Sequence, residues 1–382
     1  MPPQDKKVRL KQLDALRAIA VLLVMGRHLT WNPVWFRIGW TGVDLFFVLS
    51  GFLISGLLFR EYEASGRMRV LRFLGRRALK IYPAYYLLLI LTVAIRWTFG
   101  PPLKWRFTWP DFVFVQSYRP GMWGHLWSLA VEEHFYLLLP AALYLLLRRN
   151  AGQGNAFRRV PLLCGVVAAA CLGMRIAYAL SGAPFDHYRI TAPSHLRLDS
   201  LAFGVLLSYL WEFRPRAIDA LFRFGGPAVL AVSALLLLPD LLFEYDQPFI
   251  YTFGLTFSYL GYGGIMLCFL KRVKANGKII GALAPLGTYS YTIYLCHLPV
   301  AFWSIGHVLS PASLGWGRDA IFATYLLVSC GAGILLAKLV ERPGLALRER
   351  LLPADAPSGT LRPAAAGSAR EEVCAAAIPS GL

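Results

Sequence analysis

The sequence predicts an all-α fold, a polytopic bundle of about ten transmembrane helices. Two observations carry this. Hydrophobic residues make up 57% of the 382 positions and charged residues only 16%, where soluble domains carry about 25% charged residues. The apolar residues also fall in recurring runs of about 18 to 23, each long enough to cross a hydrocarbon layer of about 30 Å.

Read in order, the runs place spans at 13–31, 38–59, 79–98, 124–147, 160–180, 195–211, 227–242, 250–270, 284–307 and 320–340. The first is not a cleaved signal peptide, because it carries Asp14, Arg17, Arg27 and His28 and lacks an A-x-A site. Residues 1–12 form a short N-terminal segment and 13–342 a single membrane domain. Beyond Pro343 the chain is rich in Ala, Pro, Gly and Ser, so 343–382 reads as a disordered tail.

The formal net charge is +18, but its placement argues against nucleic acid as a partner. Lys and Arg crowd into the termini and the even-numbered connections and are sparse in the odd-numbered ones. This asymmetry puts both termini in the cytoplasm, with the chain in the cell's inner membrane and the lipid bilayer as its surroundings. The six cysteines are scattered without a C-x-x-C, so neither a disulfide framework nor a metal site is expected.

The exceptions to apolarity are the informative residues, since a charge inside a membrane is costly unless it is paired or faces a cavity. Asp14 and Arg17 stand three apart and can pair on one helix. Arg17 and His28 are eleven residues apart, which returns His28 to within about 20° of the same face after about 16 Å of rise. Asp44 lies about 9 Å and Glu132 about 12 Å below the outer boundary by the same arithmetic. With His28 and His297, these carboxylates are expected to converge on one cavity in the external half. The Ser and Gly residues of GVDLFFVLSGFLISGLL, Ser50 among them, read as a packing surface.

On the inner side, RVLRFLGRRALKIYPAYY sets Arg76, Arg77 and Lys80 at helical spacings of three and four, so one helix can present them together to a phosphate group. No G-x-x-x-x-G-K-[ST] loop is present, which argues against an ATPase. Cations on the cytoplasmic side and acid/base groups toward the outside suit a phosphorylated donor entering from within and an acceptor attacking from without.

LDALRAIAVLLVMGRHL, GWTGVDLFFVLSGFLISGLL, FLGRRALKIYPAYY, LWSLAVEEHFYLLLP, RLDSLAFG and YSYTIYLCHLPV occur in that order. Together they resemble the acyltransferase family 3 membrane proteins, which O-acylate surface glycans, peptidoglycan and some secondary metabolites. The resemblance implies acyl-CoA, acetyl-CoA in the first instance, as donor substrate with no permanently bound cofactor, and a carbohydrate or glycosylated acceptor. It also implies His28 as the catalytic residue, Glu132 as the functional carboxylate of its motif, and Arg76, Arg77 and Lys80 as contacts to CoA. Either Asp44 or Glu132 is expected to orient the His28 ring, and Arg17, Asp199 and His297 are expected among the substrate-binding residues. Lys80 and His134 depart from the family pattern, where Arg and Gln are common. Some members carry a fused extracytoplasmic hydrolase-like domain, for which this chain is too short, so the resemblance implies hand-over within the bundle or to a separate extracytoplasmic partner. The rival reading is a transporter or flippase using the same buried charges as a proton relay. It lacks support from an inverted repeat or paired broken helices.

Overall fold

The computed structural model describes residues 10–28, 32–100, 103–149, 155–303 and 317–353. The far ends of the first and ninth expected spans, residues 1–9 of the N-terminal segment and residues 354–382 of the expected tail lie outside the described residues.

The described chain is helical throughout. Its helices are α1 (Lys11–Arg27), α2 (Pro33–Ile38), α3 (Gly42–Ser65), α4 (Val70–Phe99), α5 (Trp105–Phe112), α6 (Trp127–Arg149) and α7 (Val160–Leu180). They are followed by α8 (Leu198–Phe213), α9 (Pro215–Leu242), α10 (Leu255–Arg272), α11 (Lys278–Gly287), α12 (Ser290–Val300), α13 (Arg318–Leu336) and α14 (Arg342–Leu351).

Among the described residues, seven helices are long and apolar enough to cross a membrane, or eight if the bent pair formed by α11 and α12 is one span. The expected count of ten is therefore too high by this measure. The two that fall short are α1 and α8, at 17 and 16 residues. Both are helical where a span was expected, and both are enclosed by other helices rather than by lipid. The α2–α3 segment is 83% buried over its most apolar window, against 17% for the corresponding window of α9. The bundle thus has an inner set, α1, α3 and α8, wrapped by a more exposed outer set.

Small residues set the inner crossings. A Cβ added at Gly51 would run into the backbone carbonyl of Leu201, and one at Gly204 into that of Val48, so α3 and α8 meet backbone to backbone. Gly287 does the same against Asp14, bringing the end of α11 onto α1. Immediately after Gly287 the chain turns by 66° into α12, which redirects Tyr291, Tyr294 and His297 inward. Glycine is also required where α3 ends, because Gly66 closes the helix at φ 64°, in the left-handed region.

Residues 343–351, placed in the disordered tail on composition, belong to a helix, α14. Arg76 of α4 binds Glu349 at 2.8 Å and also donates to the Leu352 carbonyl, which docks α14 on the start of α4. Composition does not report such a long-range tie.

Candidate active site

A cleft enclosing about 850 Å³ of empty space, part of it open to the exterior, lies between α1, α3, α4, α6 and α12. Arg17 comes from α1, and Arg77 and Lys80 lie one helical turn apart on α4. Glu132, Glu133 and Tyr136 come from α6, and Glu341 from the π-helical turn Ala337–Glu341 that follows α13. The Arg77 guanidinium sits 5.8 Å from the Phe73 ring centroid and 5.5 Å from that of Tyr136, which fixes its direction without neutralising it. Arg17 lies 3.9 Å from Asp14, the i,i+3 pair expected from the sequence.

Glu132 is held from two sides. Ser50 Oγ donates to its Oε1 at 2.8 Å and Tyr136 OH to its Oε2 at 2.8 Å. Glu133 accepts a single, longer bond from Tyr82 OH at 3.2 Å, and its buried Oε1 has no hydrogen-bond partner among the described residues. The adjacent pair is thus unequal. Ser50, read from sequence as a packing residue, instead donates to a cleft carboxylate.

Ser128 and Tyr294 line the cleft, their hydroxyls 2.6 Å apart. Behind them three imidazoles gather. His297 and His28 have ring centroids 5.1 Å apart, His297 and His125 4.7 Å, and Tyr294 stands 5.4 Å from both His125 and His297. Tyr294 OH also donates to the His125 carbonyl at 2.6 Å. Among the described residues no group of His, Cys, Asp and Glu is arranged to hold a metal ion.

The single external cavity expected from the sequence is therefore divided. His28 and His297 do meet, joined by His125, but Glu132 faces the cleft with the cations. Asp44 goes elsewhere: it accepts Arg197 Nη2 at 2.7 Å and Ser200 Oγ at 3.1 Å. Asp199 forms a fully buried pair with Arg175 at 2.7 Å and does not line the cleft. Arg76, expected beside Arg77 on a phosphate, is turned to Glu349 instead. Helical spacing placed Arg76 and Lys80 on one face but could not reveal that α14 would cover the Arg76 end of it. His134 shares a 2.7 Å hydrogen bond with Ser194 and acts between helices.

Two site residues escaped the sequence. Glu341 ends a π-helical turn, a local geometry that residue pattern does not reveal. His125 opens the stretch HLWSLAVEEHFYLLLP, and a histidine beside an apolar run was the available signal.

A cation-lined cleft with a cluster of imidazoles behind its wall, set inside a bundle of membrane helices, is the arrangement of a membrane-bound group transferase. Comparison with known proteins narrows the class. The family described as an acyltransferase domain matches residues 10–339, and the chain belongs to this family, acyltransferase family 3. It is 30% identical over 314 residues to the peptidoglycan O-acetyltransferase OatA of Listeria monocytogenes, covering 75% of this chain and 49% of that protein. It is 28% identical over 313 residues to the O-acetyltransferase OatA of Staphylococcus aureus, covering 75% and 50%. The chain thus spans about half the length of these relatives. No solved structure matches it.

Proposed function

We propose that this membrane acyltransferase moves an acetyl group from acetyl-CoA, entering at the cytoplasmic face, to a hydroxyl of a cell-envelope carbohydrate, with His28 as general base. The observation that supports this reading is that the cationic cleft and the imidazole cluster adjoin: Tyr294 lines the cleft, and its ring lies 5.4 Å from those of His125 and His297.

Arg17, Arg77 and Lys80 hold the phosphates of CoA through charge-assisted hydrogen bonds. The rise of about 16 Å along α1 between Arg17 and His28 matches the reach of an extended pantetheine arm. A thioester so anchored is presented beside the imidazoles. A hydroxyl is a weak nucleophile, and an imidazole that takes its proton as the carbon–oxygen bond forms contributes about 10² to 10⁴ in rate. Glu132, fixed by Ser50 and Tyr136, sets an acidic group among the cations and keeps the cleft polar.

The acceptor class follows from the relatives, whose names state that they O-acetylate, the Listeria protein acting on peptidoglycan. Membranes from cells with and without the chain, supplied with labelled acetyl-CoA, test the reading. Label should enter carbohydrate only where the chain is present. Equal labelling in both would refute it.

A further inference from the structure

A general base at His28 needs a group that holds its ring in one tautomer. The two carboxylates suggested for that task are both engaged: Asp44 by Arg197 and Ser200, Glu132 by Ser50 and Tyr136. The group that faces His28 is another imidazole. His297 is fully buried, and its ring centroid lies 5.1 Å from that of His28, with the planes inclined at 45°. At this separation facing nitrogens come within hydrogen-bond reach once they point at one another.

The protonation of His297 follows from its surroundings. Its Nδ1 lies 2.5 Å from the backbone oxygen of Tyr294. A carbonyl oxygen only accepts, so Nδ1 carries the hydrogen and Nε2 is left with a lone pair. That Nε2 is buried and has no hydrogen-bond partner among the described residues. His125 closes the other side of the ring, its centroid 4.7 Å away and its plane at 76°.

We propose that His297 is the positioning residue for His28: no hydrogen bond links the two rings in this structure, and when the His28 ring turns its N–H toward the bare Nε2 of His297 that nitrogen accepts it, leaving the other nitrogen of His28 as the free base. This rests on the acyl-transfer reading and deepens it. As the acceptor oxygen attacks the thioester carbon, the carbon–oxygen bond forms and the carbon–sulfur bond breaks. The hydroxyl proton passes to the bare nitrogen of His28 and then to the departing thiolate, which leaves as the CoA thiol. His297 keeps its own hydrogen on Nδ1 throughout and steadies the imidazolium of His28 through the shared N–H.

Two substitutions separate positioning from packing. An asparagine at 297 can reproduce the Nδ1 donor toward Tyr294 but is too short to reach His28, whereas a glutamine can place a carbonyl oxygen near the position of Nε2. His297→Asn should lower kcat by about 10²-fold with the KM for acetyl-CoA unchanged, while His297→Gln should stay within about tenfold of wild type. Equal rates in the two variants overturn the proposal. Nitrogen-15 NMR of histidine-labelled full-length protein in detergent gives a readout that does not depend on turnover. In wild type His28 should show one protonated and one bare nitrogen, and in His297→Asn a mixture of tautomers. An unchanged His28 spectrum in that variant removes His297 from the role even where acyl transfer stands. A wild type that shows the tautomer lock but transfers no acetyl group refutes the acyl-transfer reading instead.

Discussion

Asp44 on α3 and Arg197 at the start of α8 form a 2.7 Å ion pair that is buried on both sides. The Arg197 guanidinium also lies 5.6 Å from the ring centroids of Phe47 and Trp127, and Phe47 lines the cleft. The pair therefore braces the wall of the site from behind. Removing one member of a buried pair leaves an uncompensated charge, which costs about 3 to 5 kcal/mol. Asp44→Ala should lower the melting temperature of the detergent-purified protein well below that of wild type. A variant that melts like wild type but turns over slowly would return Asp44 to the catalytic role first expected for it.

The cations divide in the same way. Arg77 and Lys80 line the cleft, whereas Arg76 is occupied by Glu349. Since a hydrogen bond to a charged group contributes about 1.5 to 3 kcal/mol, Arg77→Ala and Lys80→Ala should each weaken acetyl-CoA binding by about tenfold or more. Arg76→Ala should act on the docking of α14 and leave CoA affinity within about threefold of wild type. Calorimetric titration of CoA into the three variants separates the cases, and equal losses in all three would place Arg76 on the phosphates as well.

Of the adjacent carboxylates, Glu132 accepts two hydrogen bonds and Glu133 one. An amide at 132 retains one acceptor oxygen and turns a donor toward Ser50 or Tyr136, so one bond must reverse direction and neither bond is any longer charge-assisted. Glu132→Gln should reduce acyl transfer by about tenfold or more, since a charge-assisted bond contributes about 1.5 to 3 kcal/mol. Glu133→Gln should reduce it less. Initial rates with labelled acetyl-CoA compare the two, and equal losses would deny Glu132 its special place.

Outside the spans, burial pushes the Asp111 carboxyl up to about 7, and the Met122 N–H, 2.6 Å from Oδ2, offsets this only in part. The folded value exceeds that of the unfolded chain, about 3.9. Asp111 therefore stabilises the fold most below about pH 4, and this contribution is lost as pH rises toward 7. Asp111→Asn should flatten the melting temperature between pH 4 and 7. A variant that retains the wild-type slope would assign it to another group.

Most of the fold was legible in the sequence because a bilayer imposes long apolar runs on any helix that crosses it. The count suffered at α1 and α8, which are too short, at 17 and 16 residues, and are largely buried among other helices. Within the site, helical spacing correctly put Arg77 beside Lys80 and Arg17 near Asp14, since those relations are local. The partners of Asp44, Asp199 and Arg76 were out of reach. Each lies on another helix, or, for Asp199, on a helix joined by a long connection, and spacing along one helix carries no information about a neighbour's register.

The proposed function joins the cleft and the imidazole cluster into one acyl-transfer site. It is tested most directly by comparing wild type, His28→Ala and the Arg77→Ala/Lys80→Ala double variant in the same membranes with labelled acetyl-CoA. Carbohydrate labelling is expected from wild type alone, with CoA binding retained in His28→Ala and lost in the double variant. Near wild-type labelling by His28→Ala would contradict it.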